Sequence, residues 1–426
     1  MAAPSSFGGG ATPTACAVQA CALEPAAPEL QLDPPRLGAA VLRRMEIADK
    51  RGGVPVLQDV LQSADSGLTC MFVRMLSPAI YGSVWDALEI ELDEGGQFTV
   101  LKDERGLDKR LAVKRMPWHR IHRLRGEVQE DPLHEIAALS RVQHPGHPHV
   151  LKMVEALDDG ETVYLLTPFV DGGELFGWVK DNGASTEDAV KPLFRQIIEG
   201  LRYIHSKGLC HADMSLENAL MDARRENSYI IDFGMSVAMP SDSLGRRRML
   251  VPDRRASKKP YCAPEFFKRK AYDAVKIDVF SCGCMLFMML AGFPAFNAPS
   301  RTDSGFKQAV CKGDVQGLLQ KYGLDPLPDE VAHLLKAMMA YKAAERPMPE
   351  EVLQHPWLAP PAHALAAPLA DTGVSFQHPA PPQHQAPLAP DAGHRNILPE
   401  AAAQQEGFPA SRSGGGTAPE RARTVP

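Results

Sequence analysis

Two short apolar runs flanking a polar turn, within HADMSLENALM at 211 to 221 and YIIDFG at 229 to 234, constrain this chain more than any other feature. Ala219, Leu220 and Met221 form the first run, Tyr229, Ile230 and Ile231 the second, and DARRENS at 222 to 228 reads as the turn. If the runs pair antiparallel, Asn218 just before the first and Asp232 just after the second become neighbours, about 4.8 Å apart. An amide oxygen and a carboxylate then converge. That pair suits Mg²⁺, a hard cation that takes one or two carboxylates and leaves its other positions to phosphates and water. Asp213, five residues before the asparagine, can receive a proton nearby.

Composition separates the middle of the chain from its ends. Residues 1 to 36 are dominated by Ala, Pro, Gly and Ser, and the last stretch, from about 359 to 426, by Pro, Ala, Gln and His. Such segments bury too little apolar surface to offset chain entropy, so both ends are expected to be disordered. The organisation expected is an extension over 1–65 with short helices, an ordered domain over 66–358, and a disordered tail over 359–426. A net charge of −6 argues against a general nucleic-acid binder. The eight cysteines show no CxxC pairing and several sit in apolar runs, as buried thiols in a reducing compartment do. No secretory signal is read, and the run from Val279 to Phe296 is too interrupted to span a bilayer comfortably, which points to a buried core helix. The chain is expected to be intracellular, in the cytoplasm, with nuclear and organellar locations left open, and monomeric, with no membrane or nucleic-acid partner.

Along the chain, 37 to 61 reads as an amphipathic helix (Leu37, Val41, Met45) followed by a short apolar segment (Leu57, Val60, Leu61). Thr69 to Leu76 and Val84 to Leu92 read as strands joined by SPAIYG, QFTVL at 97 to 101 as an extra strand, and RLAVKRM at 110 to 116 as the third main strand, carrying Lys114. DPLHEIAALSRVQ at 131 to 143 has a helix start signal and exposes Glu135 on one face. Leu193, Ile197, Leu201 and Ile204 line one stripe of a helix that stops at Gly208 and delivers the chain to His211. From 275 onward the pattern is helical, ending at HPWL. A strand-rich first half and a helix-rich second half imply two lobes with a cleft between them.

Taken in order, these residues resemble the protein kinase family. His211, Asp213 and Asn218 match its catalytic loop, and Asp232, Phe233 and Gly234 its metal-binding triplet. The resemblance implies an α+β fold with a small, mainly antiparallel β lobe over 66–168 that carries one key helix, and a larger α-helical lobe over 169–358. It implies ATP and Mg²⁺ as cofactors and a protein substrate. By that resemblance Asp213 orients or deprotonates the substrate hydroxyl, Lys114 neutralises nucleotide phosphates with Glu135 holding it, and Asn218 and Asp232 hold metal. Tyr81, Gly82, Val84, Ala112, Thr167, Pro168, Phe169, Val170, Glu174 and Leu220 would contact the nucleotide. Glu265 and Arg346 would pair, Asp278 would hold the catalytic loop backbone, and Leu139, Met153, His211 and Phe233 would stack between the lobes. Glu174 and Glu217 would face the peptide groove and favour an upstream arginine; the alternative is that either merely binds ribose or caps a helix. Met235 leans toward serine as the target.

Several positions depart from the family. Ser77 and Ala79 replace two glycines of the phosphate-binding loop, which glycine's close backbone approach normally serves. Ala212 replaces the arginine after the catalytic histidine. Ser215 replaces a lysine that contacts the transferring phosphate, while Lys258 stands where a hydroxyl residue usually meets that lysine. The two are read as a swap of hydroxyl and ammonium across one contact, which adds both to the catalytic set. Arg254, Arg255, Ala256 and Ser257 resemble a basic-directed phosphorylation site, or else a solvated basic loop. The expected activity is a serine/threonine kinase; the alternative is a pseudokinase serving as a nucleotide-binding or interaction scaffold. The GGELF and HPWL segments look most like the calcium/calmodulin-dependent group, although no basic amphipathic helix follows Trp357.

Overall fold

Apolar side chains alternating with polar ones build the first lobe as strands whose inward faces share one core. The computed structural model describes residues 27–28, 32–128, 130–241, 246–252 and 258–359. In chain order these hold β1 (Ala27–Pro28), β2 (Gly38–Asp49), β3 (Val56–Ser63), β4 (Thr69–Ala79), β5 (Gly82–Leu92), β6 (Gln97–Val100) and β7 (Arg110–Pro117). There follow α1 (Trp118–Leu124), α2 (Pro132–Val142), β8 (Glu155–Asp158) and β9 (Thr162–Pro168). The second lobe contains α3 (Leu175–Asn182), α4 (Glu187–Ser206), the short strands β10 (Leu209–Cys210), β11 (Ala219–Met221), β12 (Ser228–Ile230), β13 (Val237–Ala238) and β14 (Leu250–Val251). It ends with α5 (Pro264–Phe267), α6 (Ala274–Ala291), α7 (Ser304–Phe306, continued by a π turn), α8 (Val315–Lys321), α9 (Asp329–Met338) and α10 (Pro349–Gln354). This is the two-lobed α+β arrangement expected.

The helix expected over 37–61 is not formed. Those residues are β2 and β3, an antiparallel hairpin with Leu42 opposite Leu61. Val41, which a Leu37–Val41–Met45 helical stripe would bury, is 43% exposed, whereas Ala40 and Leu42 face the core. A spacing of four satisfies a helix and also leaves an alternating strand face, and strand pairing decides between them. The hairpin does more than extend the sheet. β3 pairs with β4, β4 with β5, β5 with β7, β7 with β9, β9 with β8, and β8 with β2, which returns to β3. The strands therefore close into a seven-membered ring, with β6 attached outside between β5 and β2.

Leu61, Cys70, Phe72, Ala87, Leu111, Val113, Leu157, Tyr164 and Leu166 fill the ring, with Ala40 and Leu42 against them, so every strand contributes. Closure removes the two open edges that a sheet of β4, β5, β7, β9 and β8 would present. At the closing seam Gly38 pairs with Leu157, and a Cβ on Gly38 would lie 3.0 Å from Asp65 Oδ2 and 3.1 Å from Leu157 Cδ2. Ser63 and Ser66 hydroxyls donate to the two oxygens of Glu155 at 2.8 and 2.9 Å and fasten the same seam. The ordered domain thus begins by Gly38, ahead of the boundary at 66 read from the sequence. Ala27 and Pro28, inside the segment expected to be disordered, form β1; residues 1–26, 29–31 and 360–426, with the expectation placed on them, lie outside the described residues.

The second lobe is organised around α6, of which every residue but Lys276 is buried. It is long and apolar enough to cross a membrane, yet it forms the centre of the main core. Val190, Leu193, Ile197, Leu201 and Ile204 of α4 lie along one stripe against that core. Asp131 and Asp273 cap α2 and α6 by accepting N–H groups of the first turn. If the ring is as described, Leu61→Ala, at a site with no exposure, should lower stability to urea by about 2–5 kcal/mol. Val41→Ala on the outer face should change it by no more than about 0.5 kcal/mol.

Candidate active site

The hairpin anticipated from the apolar runs is formed by β11 and β12, with Ala219 opposite Ile230 and Met221 opposite Ser228. One step further the Ile231 N–H donates to the Asn218 carbonyl at 3.0 Å, so Asn218 and Asp232 stand at the open end together. Asn218 Nδ2 donates to the Asp213 carbonyl and to Asp213 Oδ2, both at 2.8 Å, which leaves the amide oxygen for a cation. Asp232 has a left-handed backbone, φ 62°, and its Oδ1 accepts the Gly234 N–H at 3.1 Å. Burial pushes the Asp232 carboxyl up, but the Lys114 charge and that N–H outweigh it and hold the group below the ordinary carboxylate value.

Lys114 on β7 donates to Glu135 Oε2 at 2.7 Å, and both side chains are largely buried. The proton stays on the lysine: burial opposes its charge, but Glu135 and Asp232 outweigh that and raise its pKa. Burial also pushes the Glu135 carboxyl up, with Lys114 countering. Helix α2 is tied to the segment after the DFG triplet by His134 Nε2, 2.7 Å from the Ser236 carbonyl. Because α2 starts from the Asp131 cap, Glu135 falls one turn in and faces β7.

Deep in the second lobe Asp278 on α6 accepts the His211 and Ala212 N–H groups at 2.9 Å each, and its Oδ2 lies 2.8 Å from His205 Nε2. Burial works against this carboxylate, yet the His205 contact and the His211 N–H outweigh it and its pKa is lowered. Ala212 sits at φ 60°, a conformation such contacts must hold in place. The His211 ring lies 5.1 Å from that of Phe233 and its Nε2 is 3.0 Å from the Ile231 carbonyl. Leu139 and Phe233 share the main core, with Met153 packed against it. Arg346, 2% exposed, forms a two-pronged pair with Glu265 at 2.5 and 2.8 Å.

Lys258 reaches into the same loop. Its Nζ donates to Asp213 Oδ2 and to Ser215 Oγ, each at 2.9 Å, so ammonium and hydroxyl meet as the swap requires. Between the lobes a cavity of about 1000 Å³ is lined by Tyr81, Val84, Ala112, Lys114, Thr167, Pro168, Phe169, Val170, Glu174, Leu220 and Asp232, all anticipated as nucleotide contacts or metal ligand. Of the expected nucleotide contacts only Gly82 is not in this lining, nor is the expected metal ligand Asn218; a Cβ on Gly82 would fall 1.8 Å from the Arg115 carbonyl oxygen. Its glycine serves the close approach of β5 to β7, and the tight β4–β5 turn carries Ile80 and Tyr81 instead. Tyr81 is buried and its hydroxyl donates to the Glu130 carbonyl at 2.6 Å.

Sequence reasoning missed Glu130, whose carboxyl lines the cavity and is pushed up by burial and then by Asp232. Its only sequence signal is its place immediately before the Asp131 cap. Glu174 and Glu217 lie close enough that, after burial, the Glu217 charge is the chief influence raising the Glu174 carboxyl. Arg254, Arg255, Ala256 and Ser257 lie outside the described residues.

Asp278 supplies a direct test. Removing one member of such a buried set should cost about 3–5 kcal/mol, read as a lower unfolding midpoint for Asp278→Ala. Because its folded pKa is depressed, its stabilisation is complete above the unfolded carboxylate value of about 3.9 and is lost as pH falls through the folded value. Unfolding free energies measured between pH 5 and pH 2 should therefore fall less steeply in Asp278→Asn than in the parent.

Known proteins with related sequences agree with this geometry. Residues 91–358, more than half of the chain, match the protein kinase domain family, and the match begins only after most of β4 and β5, where the loop glycines are replaced. Calcium-dependent protein kinase 9 of Oryza sativa subsp. japonica is 31% identical over 284 residues, covering 65% of this chain and 46% of the relative. Calcium-dependent protein kinase 10 of Arabidopsis thaliana is 32% identical over 285 residues, 65% of this chain and 48% of its own. CBL-interacting serine/threonine-protein kinase 1 of Arabidopsis thaliana is 35% identical over 208 residues, 48% and 43% respectively. The chain spans about half the length of these relatives or less. With a family match across both the Lys114–Glu135 pair and the Asp213–Asn218–Asp232 hairpin, the chain belongs to the protein kinase family.

Proposed function

We propose that this chain is a serine/threonine protein kinase, transferring the γ-phosphoryl group of ATP to a serine or threonine hydroxyl. The observation that supports it most is the convergence on Asp213 Oδ2 of Asn218 Nδ2 at 2.8 Å and Lys258 Nζ at 2.9 Å, beside the hairpin whose Asp232 lines the cavity together with the Lys114–Glu135 pair. In this reading the base lies in the cleft with its edge toward the Pro168 carbonyl and the Val170 backbone. Pro168 has no N–H, and the Phe169 N–H is already given to the Arg110 carbonyl at 3.1 Å. Thr167 closes the back of the cleft, Val84 and Ala112 cover one face of the base and Leu220 the other.

Lys114, kept charged, offsets charge on the nucleotide's phosphates. Asp232, kept ionised, and the Asn218 amide oxygen are a hard oxygen donor set that fits Mg²⁺. When bound, the ion neutralises phosphate charge as the reaction proceeds. Asp213 orients the acceptor hydroxyl and takes its proton as the new oxygen–phosphorus bond forms and the bridging bond to the diphosphate breaks. Lys258 places its cation beside the incoming phosphoryl group, the part Ser215 can no longer play, and Ser215 holds that cation in place. Glu174 and Glu217, close enough for the Glu217 charge to raise the Glu174 carboxyl, form the acidic edge for an arginine upstream of the target.

A second reading, a scaffold with little turnover, draws on Tyr81. Its buried ring lines the cavity beside Ser77 and Ala79, which stand where the family has glycines.

Mg·ATP transfer to an arginine-containing serine peptide separates the two. Asp213→Asn should lower turnover by about 10²-fold or more, and Lys258→Ala by a similar factor of roughly 10²–10³, while Lys259→Ala leaves it near the parent's. Turnover equal in the parent and Asp213→Asn would favour the scaffold. Replacing Glu217 by Gln should raise KM for that peptide by about tenfold, the worth of one charge-assisted hydrogen bond, and leave KM for a peptide without the arginine unchanged.

A further inference from the structure

The stretch leading into the first lobe touches both lobes. Ala27 donates its N–H to the Met249 carbonyl at 2.8 Å, and β1 pairs in parallel with β14, Ala27 beside Leu250 and Pro28 beside Val251. β14 belongs to the segment between the DFG triplet at 232–234 and Ala263, Pro264, Glu265. Its other side is fixed: Leu250 and Tyr272 exchange both backbone hydrogen bonds at 2.9 Å, and neither is exposed. Tyr272 immediately precedes Asp273, the cap of α6, so β14 is sandwiched between the head of the buried helix and β1. Ten residues on from Pro28, Gly38 enters the closing seam of the ring opposite Leu157. Leu32 and Leu37 pack against the main core on the way.

We propose that β1, with the described residues 32–37 that lead into the ring, is a built-in strap that positions the activation segment, so that Lys258 is presented to Asp213 without a charged anchor on the catalytic loop. Position 212 is a buried alanine and offers no cation to that segment. Backbone pairing supplies what a charge would: β1 covers the free edge of β14, as an added strand does, with a hydrogen bond indifferent to side chains. Ala27, 5% exposed, belongs to the main core, so the position accepts a small side chain and rejects a long charged one. One end of the strap is set by the ring and the other by β14. Movement of the first lobe relative to the activation segment is thereby limited by about ten residues of chain, at most ~36 Å even when fully extended. The positioning role rests on the phosphotransfer reading of the site; the strap itself does not.

Backbone amide hydrogen exchange of the full chain, followed over residues 246–252 and 258–262 with the ring strands at 38–63 as internal control, is the test. Ala27→Pro deletes the N–H donor, Ala27→Arg forces charge into the buried position, and Ala27→Ser keeps both donor and size. The first two should speed exchange at 246–252 tenfold or more, leave 38–63 unchanged, and lower kcat on a serine peptide with KM for ATP unaltered; Ala27→Ser should match the parent. Exchange at 246–252 that is unaltered in both Ala27→Pro and Ala27→Arg overturns the strap, whatever the turnover. Faster exchange with undiminished kcat overturns its positioning role. Faster exchange in a chain whose parent transfers no phosphate upholds the strap and removes the kinase reading alone. A variant lacking residues 1–31, which leaves the ring intact, should reproduce the exchange result.

Discussion

One buried carboxylate holds the catalytic machinery in register. Asp278 lies near the start of α6, a helix with almost no solvent contact, and turns its two oxygens to the His211 and Ala212 N–H groups. A charge in such a place is tolerable only because donors surround it. Once the backbone is fixed at 211 and 212, Asp213 has one orientation, and Asn218, hydrogen-bonded to it twice, has one too. The hairpin that starts at Asn218 then brings Asp232 alongside, whose charge Lys114 helps to keep. From there the chain of contacts crosses to the first lobe through Glu135.

Departures from the family cluster on the same few residues and share a physical logic. The catalytic loop lacks two cations that the family resemblance leads one to expect, and other parts of the chain stand in for them. Ser215 is neutral, and the ammonium comes from Lys258 on the far side of the activation segment. Ala212 is neutral, and the segment it would have anchored is bounded by backbone pairing with Tyr272 on one side and Ala27 on the other. Placement of the cation at Asp213 then depends on where the activation segment lies, and hence on backbone geometry.

The hairpin and its site were legible because the information is local. Two three-residue apolar runs with a polar turn admit one register, and the residues that flank them follow. Lys114 and Glu135 were legible from a strand pattern and a cap signal. Residues 37 to 61 were not, since Leu37, Val41 and Met45 suit a helix as well as they suit a strand, and what decides is the pairing of β2 with β3 and, at its start, of Gly38 with Leu157, more than a hundred residues further on. Gly82 was legible as a glycine but not for its reason, the Arg115 carbonyl that a side chain would strike. Glu130 carries no pattern at all; only the fold of Tyr81 and the approach to Asp232 bring it to the cavity.

Sequence by itself determined the elements whose signals lie within a turn or a strand length: the two lobes, the hairpin that brings Asn218 and Asp232 together, the capped helix that carries Glu135, and the buried α6. These depend on periodicity and short-range hydrogen bonding, which neighbouring residues specify. Tertiary structure alone decided the closed ring, the position of β1 on the activation segment, and the second contact of Lys258, to Asp213 beside the Ser215 contact already expected. Each joins residues far apart in the chain, where the gain is set by shape and by which backbone edge is left open, and neither quantity exists until the rest has folded.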